Sequence, residues 1–217
     1  MTANKPNTRR RVGVVPMSRR ANPELTERRR ETLIKAAYAE ILDRGVAALT
    51  IDAVVARAAT SKGGALHYFR TKAALLYAVL EWLLAELDHT LTDIARSGGP
   101  PRALLSSEIE VLFHSAEVNQ KLYRVLFDYV AAASRSEPYR QLVSRFLDAC
   151  RRRDAAIIED GIRRREFRRT DAEAAASTFR ALVDGYCLQW LMGPPGEALE
   201  VYRERCKAAL SALLRNP

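Results

Sequence analysis

The stretch from Thr50 to Leu76 reads TIDAVVARAATSKGGALHYFRTKAALL. Thr50 places a side-chain oxygen just before an apolar-periodic run (Ile51, Val54, Val55, Ala58), the pattern that opens a short helix and buries one of its faces. Ser61 repeats the device after Ala59-Thr60 and opens a second short helix through about Tyr68. Two short helices divided by a few residues, the second capped by a hydroxyl, are helix-turn-helix punctuation. In that motif the second helix enters the major groove and presents its first residues to base edges, here Ser61, Lys62, Gly63 and Gly64. Lys62 suits guanine O6/N7 or a phosphate. The two glycines either let the backbone approach DNA closely or simply fray the helix start, at about 1 kcal/mol each relative to Ala. His67, Tyr68 and Lys72 carry donors suited to phosphate, and Thr50 offers a helix N-terminus to another. Tyr68 serves equally well in packing, while Phe69 reads as core.

The pattern on either side is helical. Leu33, Ala37 and Ile41 with Ile34, Tyr38 and Leu42 form a stripe predicting a helix from about Glu24 to Asp43, stopped by Gly45. A long helix runs from Thr71 to about Arg96, until Gly98-Gly99-Pro100-Pro101 breaks it. Further helices are expected at about 102–116, 119–134, 138–165, 171–192 and 196–215, the last two divided by Gly193-Pro194-Pro195-Gly196. No useful strand alternation and no repeat interrupts them. The fold class is therefore all-α: a flexible basic arm over 1–23, a three-helix DNA-binding domain over 24–72, and a helical domain over 73–217.

Charge supports that division. The chain carries a net charge of +9, and residues 1–72 hold 15 lysines and arginines against 6 acids. Residues 73–217 are balanced at 20 of each. Excess charge concentrated in one third of a chain marks a polyanion-binding module rather than a solubility device. Six of the bases, Arg19 and Arg20 among them, fall before Pro23 with no acid and no helical period. Such an arm follows phosphates or enters a minor groove; alternatively, Met17 is the true start and residues 1–16 are a gene-start artefact.

The quoted stretch resembles the signature of the tetracycline-repressor (TetR) family of bacterial regulators. Val54, Ala58, Ser61, Gly63, Phe69, Lys72 and Leu75 match. Ala59 replaces the turn glycine, Thr60 a buried valine, and Leu66 the commonest tyrosine, with His67-Tyr68-Phe69 resembling a variant whose aromatics are shifted by one. A weaker likeness runs from Ile158 to Gly193, where a Gly-x-x-x-x-x-Phe turn precedes an Asp-capped helix containing Asp184-Gly185. The resemblance implies a repressor that leaves a pseudo-palindromic double-stranded operator when a small molecule binds its C-terminal domain. It also implies a homodimer built by the last two helices as a four-helix bundle. Leu199, Tyr202, Cys206, Ala209 and Leu213 follow the 3-4 seam spacing of such a bundle, and Phe179, Leu182 and Tyr186 stripe the preceding helix. It implies, further, an effector cavity among the middle helices, with Trp82, Phe113, Phe127, Tyr129, Tyr186 and Trp190 as candidate lining. With so many aromatics and no evident buried acid–base cluster, an apolar or aromatic effector is expected.

The sequence excludes several other classes. It has no Gly-rich phosphate loop, metal-binding His or Cys pair, or nucleophile elbow, so neither enzyme, cofactor nor metal is expected. His67, His89 and His114 are far apart, and Glu108 with Glu110 and Glu159 with Asp160 read as solvated faces. Three scattered cysteines, Cys150, Cys187 and Cys206, fit a reducing bacterial cytoplasm. They leave open a cysteine-based redox sensor on the same fold. A non-specific nucleic-acid-binding protein is the other alternative.

Overall fold

The computed structural model describes residues 23–194 and 196–215, and the basic arm with Arg19 and Arg20 lies outside the described residues. The described chain is helical: α1 (Pro23–Arg44), α2 (Ile51–Arg57), α3 (Lys62–Tyr68), α4 (Lys72–Arg96), α5 (Pro101–Leu112), α6 (Ala116–Ala133), α7 (Glu137–Arg163), α8 (Ala172–Met192) and α9 (Leu199–Leu214).

Local chemistry sets most of these limits. Thr50, Ser61, Thr71, Ser115 and Asp171 each accept the backbone N–H three residues on, satisfying a donor that the first helical turn leaves unpaired. Pro23 and Pro101 open α1 and α5, where a missing N–H costs nothing. Pro23 thus belongs to the first helix rather than to the arm. The Ser115 cap ends α5 four residues earlier than periodicity suggests, and buried Asn119 seals the junction by donating from Nδ2 to the Leu112 carbonyl at 2.6 Å. Gly196, at φ +91°, delays α9 to Leu199.

The turn between α2 and α3 places Ala59 at φ +48°, the left-handed conformation for which the family signature uses glycine. Ala59→Gly is therefore expected to stabilise the protein, by about 0.5–1 kcal/mol, because it removes a Cβ penalty. An unchanged urea midpoint would show that the turn carries no such strain.

Two apolar cores form. The lower one joins α1, α2, α3 and the first half of α4, and includes Val125 and Tyr129 of α6 and Leu142 of α7. The upper one joins α5 to α9 with Leu91 of α4. Helix α4 belongs to both: Leu75, Val79, Leu80, Leu83 and Leu84 face the lower core, and Leu87, Leu91 and Ile94 the upper. The hydroxyl of Tyr129 donates to the Leu76 carbonyl at 3.0 Å and that of Tyr139 to the Ala73 carbonyl at 3.4 Å, fastening α6 and α7 to the start of α4. A domain boundary at residue 72 cuts this lower core.

Candidate DNA-binding interface and effector domain

Helix α2 is clamped to α1 by charge. Arg57 Nη2 lies 2.9 Å from Glu40 and 2.5 Å from Asp43, and Glu40 is buried. Arg57 is therefore scaffold. At the start of α3, Ser61 Oγ accepts the Gly64 N–H at 3.0 Å, and Lys62 is exposed, its Nζ 2.8 Å from Asp52. Gly63 is exposed with open space where a Cβ would be, whereas a Cβ at Gly64 would meet Ser61 and Thr60 oxygens at 3.1 and 3.3 Å. Gly63 thus leaves the start of α3 bare, whereas a side chain at 64 would have to push the two hydroxyls aside by a few tenths of an ångström.

His67 is exposed and packs edge-on against Tyr68, which is half-buried against the lower core. Phe69 is core, with the Arg30 guanidinium over its ring at 5.5 Å. Lys72 Nζ donates to the Ala47 carbonyl at 2.9 Å, bridging to the loop after α1 and leaving its other two protons unassigned. Two exposed residues of the same surface were not singled out from the sequence: Leu66, 39% exposed on α3, and Arg70 just after it. An exposed apolar side chain on such a helix is chemically suited to a thymine methyl, and an exposed base to phosphate. Their signal was position alone, since both fall inside the recognised motif.

The upper domain departs from expectation in three respects. The six large residues do not surround one cavity. Trp82 stacks edge-on with Tyr38 of α1 at 5.2 Å and Tyr129 sits in the lower core, while Phe113 is sealed in the upper one. Trp190 donates its indole N–H to the Glu197 carbonyl at 3.0 Å, and Tyr186 packs against the upper core. Phe127 alone of the six lines the cleft between α1, α6 and α8, of about 710 Å³. Large apolar side chains fill whichever core their helix faces, so size does not mark a ligand wall.

The second departure is a buried acid–base cluster. Glu108 of α5 and Asp154 of α7 are fully buried. Arg180 of α8 spans them, Nη2 at 3.1 Å from Glu108 and Nε at 2.7 Å from Asp154. Arg153 Nε lies 3.7 Å from Glu108, and its Nη1 reaches Asp88 of α4 at 2.8 Å. Burial, and then the neighbouring Asp154 charge, push the Glu108 carboxyl up to about 8 against the pull of the arginines. Burial likewise raises Asp154. Glu108 is thus no solvated face: the cluster ties α4, α5, α7 and α8 together.

The third concerns the seam. Phe179, Leu199, Tyr202 and Cys206 are buried in the chain's own core, while Leu182, Tyr186, Ala209 and Leu213 are only partly covered. The strongest 3-4 stripe turns inward because it is the most apolar. Ala174, Ala181, Leu188 and Met192 of α8 and Val201, Ala208 and Ala212 of α9 lie exposed on the opposite faces, Met192 at 70%. All three cysteines are buried, and burial pushes the Cys187 and Cys206 thiols up to about 12. Thiolate is the reactive form, so these thiols are poor redox sensors. Among the described residues no helix is long and apolar enough to cross a membrane.

A helix-turn-helix whose recognition helix is exposed, seated on a helical domain through one shared helix, defines a DNA-binding transcriptional regulator. Residues 33–79 match the tetR family of bacterial regulatory proteins, and residues 101–215 match the C-terminal domain of BetI-type transcriptional repressors. The HTH-type transcriptional regulator BetI of Rhizobium meliloti is 30% identical over 168 residues, covering 77% of this chain and 80% of that one. BetI of Brucella anthropi is 30% identical over 184 residues, covering 76% and 94%. A TetR regulator from Haloarcula marismortui superposes with a TM-score of 0.78 at 24% identity, covering 87% of this chain and all of its own. A transcriptional regulator from Saccharomonospora viridis, solved in complex with choline, superposes at 0.80 with 19% identity, covering 88% and 100%. The chain belongs to the tetR family, with a BetI-type C-terminal half, and is a ligand-responsive DNA-binding repressor.

Proposed function

We propose that the protein represses from a pseudo-palindromic operator as a cytoplasmic homodimer, and that a small molecule in the C-terminal domain releases it by shifting α4. The continuity of α4 through both cores carries this reading, since any repacking of the upper core moves a wall of the lower one. A ligand acts only through its differential affinity for the two arrangements, and operator DNA must weaken ligand binding by the same factor. The buried charges of the upper core favour an effector with a polar or charged group over the apolar or aromatic one expected from the aromatics. Choline, held by the S. viridis regulator, is the first probe. The decisive experiment is operator binding against scrambled competitor at physiological salt, with and without choline. Discrimination of roughly 10³ or more is expected. Equal binding to both DNAs would leave only a non-specific polyanion binder.

On DNA, Ser61, Lys62, Gly63 and Leu66 meet base edges. Thr50, His67, Tyr68, Arg70 and Lys72 meet the backbone, with Arg19 and Arg20 of the arm adding phosphate contacts. Lys72→Ala is expected to weaken specific and random DNA alike, and to lower the magnitude of the log–log salt slope by about 0.9 per subunit. An unchanged slope would assign Lys72 to the Ala47 loop alone.

The dimer seam is the outward stripe of small and apolar residues. Ala174, Ala181, Gly185, Leu188 and Met192 recur at 7-4-3-4 on α8, and Val201, Ala208 and Ala212 at 7-4 on α9. Leu188→Glu with Met192→Glu sets like charges against each other in an isologous interface. Sedimentation is expected to show a folded monomer with operator affinity lost. A dimer of unchanged affinity would place the interface elsewhere.

A further inference from the structure

A smaller cavity of about 190 Å³ lies between α5 and α9. Its deep wall is apolar: Leu105, Ile109, Phe167, Leu210 and Leu214, all buried. Arg102, Lys207, Ser106 and Ser211 make up the more exposed part of the lining. The two bases differ in how their charge is met. Lys207 pairs with Glu110 and with Glu204. Arg102 is held only by neutral groups. Its Nη1 lies 3.4 Å from Ser211 Oγ and its Nη2 3.3 Å from the Glu166 carbonyl, with the guanidinium over the Phe167 ring at 5.5 Å. The Glu166 carboxylate instead takes the backbone N–H of Arg102, at 3.4 Å. Arg168, beside Phe167 in the chain, also donates to a carbonyl, that of Leu213 at 2.7 Å. No ion pair within the described chain meets the Arg102 guanidinium, while the Glu166 carboxylate caps the first turn of α5 beside it.

A guanidinium fixed at the edge of an apolar hollow, with no carboxylate of the described chain paired to it, complements a molecule with an apolar body and an anionic head. The hollow is smaller than the roughly 300–1,000 Å³ of drug-sized pockets, which restricts the body to about one ring or a short branched chain. We infer that the α5–α9 cavity binds a small organic carboxylate, its head on Arg102 and its body against Leu105, Ile109, Phe167 and Leu210. The site is separate from the effector reading above, because it selects the charge opposite to choline's.

Benzoate, with benzamide as its uncharged isostere, tests this on the full chain by calorimetry. Saturable benzoate binding is expected, with benzamide at least tenfold weaker. Arg102→Gln is expected to lose benzoate at least tenfold, Arg102→Lys to recover part of it, and Ser106→Trp to block it by filling the hollow from the rim. Helical circular dichroism and operator binding should stay unchanged in Arg102→Gln, so loss of benzoate there is not loss of fold. Absent benzoate binding to the wild type, equal binding of benzamide, or undiminished binding to Arg102→Gln would each overturn the proposal. A failed operator or choline titration would leave it standing.

Discussion

Arg180→Met is expected to cost about 3–5 kcal/mol of folding stability, one of the largest effects available to a single side chain here. The methionine fills much of the volume but leaves Glu108 and Asp154 buried without the guanidinium that spans them. Removing one partner of a buried ion cluster costs more than removing all of it. Arg180→Met combined with Glu108→Gln and Asp154→Asn should therefore regain stability relative to Arg180→Met alone. The pH dependence has a definite sign. The Glu108 carboxyl, pushed up from 4.5 to about 8, holds its proton more tightly in the folded chain than in the unfolded one. Its stabilising contribution is complete below pH 4.5 and is lost as pH rises through about 8. Across that window stability should fall by up to about 1.4 kcal/mol per pH unit for one proton. Glu108→Gln should flatten the slope. Urea unfolding at fixed protein concentration over this range reads both effects, and a slope unaltered by Glu108→Gln would deny the residue its raised affinity for a proton.

Gly161→Ala should be comparably severe. A Cβ there would sit 2.1 Å from the Phe167 ring, and that ring is buried. The contact belongs to the end of α7, where Glu166 N–H reaches the Gly161 carbonyl at 2.9 Å and Arg165 N–H the Ile162 carbonyl at 3.1 Å, with Arg165 itself at φ +62°. This doubly bonded helix end fixes the backbone that carries the ring over the glycine, so a Cβ at 161 must displace the ring from its place. Expelling the ring should cost about as much as deleting it, roughly 3–5 kcal/mol. Phe167→Ala removes the obstacle, so the double variant should cost clearly less than the sum of the two singles. Strict additivity in denaturant unfolding would mean that the clash is relieved without displacing the ring.

The features legible in the sequence share a cause: they are local. Thr50, Ser61, Thr71 and Asp171 cap helices because their oxygens reach an N–H three residues away, and Gly45 ends α1 because φ +84° suits no side chain. The exposed start of α3 followed, since it is the first turn of a short capped helix. What stayed hidden depends on distant partners. Glu108 looked like one of two solvated acids, yet it shares a face with Leu105, Ile109 and Leu112, and its partner Arg180 is 72 residues away. A charge on an otherwise apolar stripe was the available signal. The inward turn of half the expected seam stripe, at Phe179, Leu199, Tyr202 and Cys206, was hidden for a related reason. Periodicity finds the most apolar face, and in a two-layer helical domain that face belongs to the chain's own core. The quieter stripe of alanines opposite Phe179 was visible only once the inner one had been assigned.

The double membership of α4 limits which parts of such a protein can be exchanged. A splice at residue 72 would carry away α1 to α3 without Leu75, Val79, Leu80, Leu83 and Leu84, and without Tyr129 and Leu142 from further along the chain. The transplanted reader would arrive with one side of its interior missing. A viable chimaera must keep α4 whole and bring the matching flanks of α6 and α7 with it. The outward positions of α3, such as Lys62 and Leu66, bear on no core and are free to change without disturbing it. The reader and the receiver of the chemical signal are otherwise inherited as one piece.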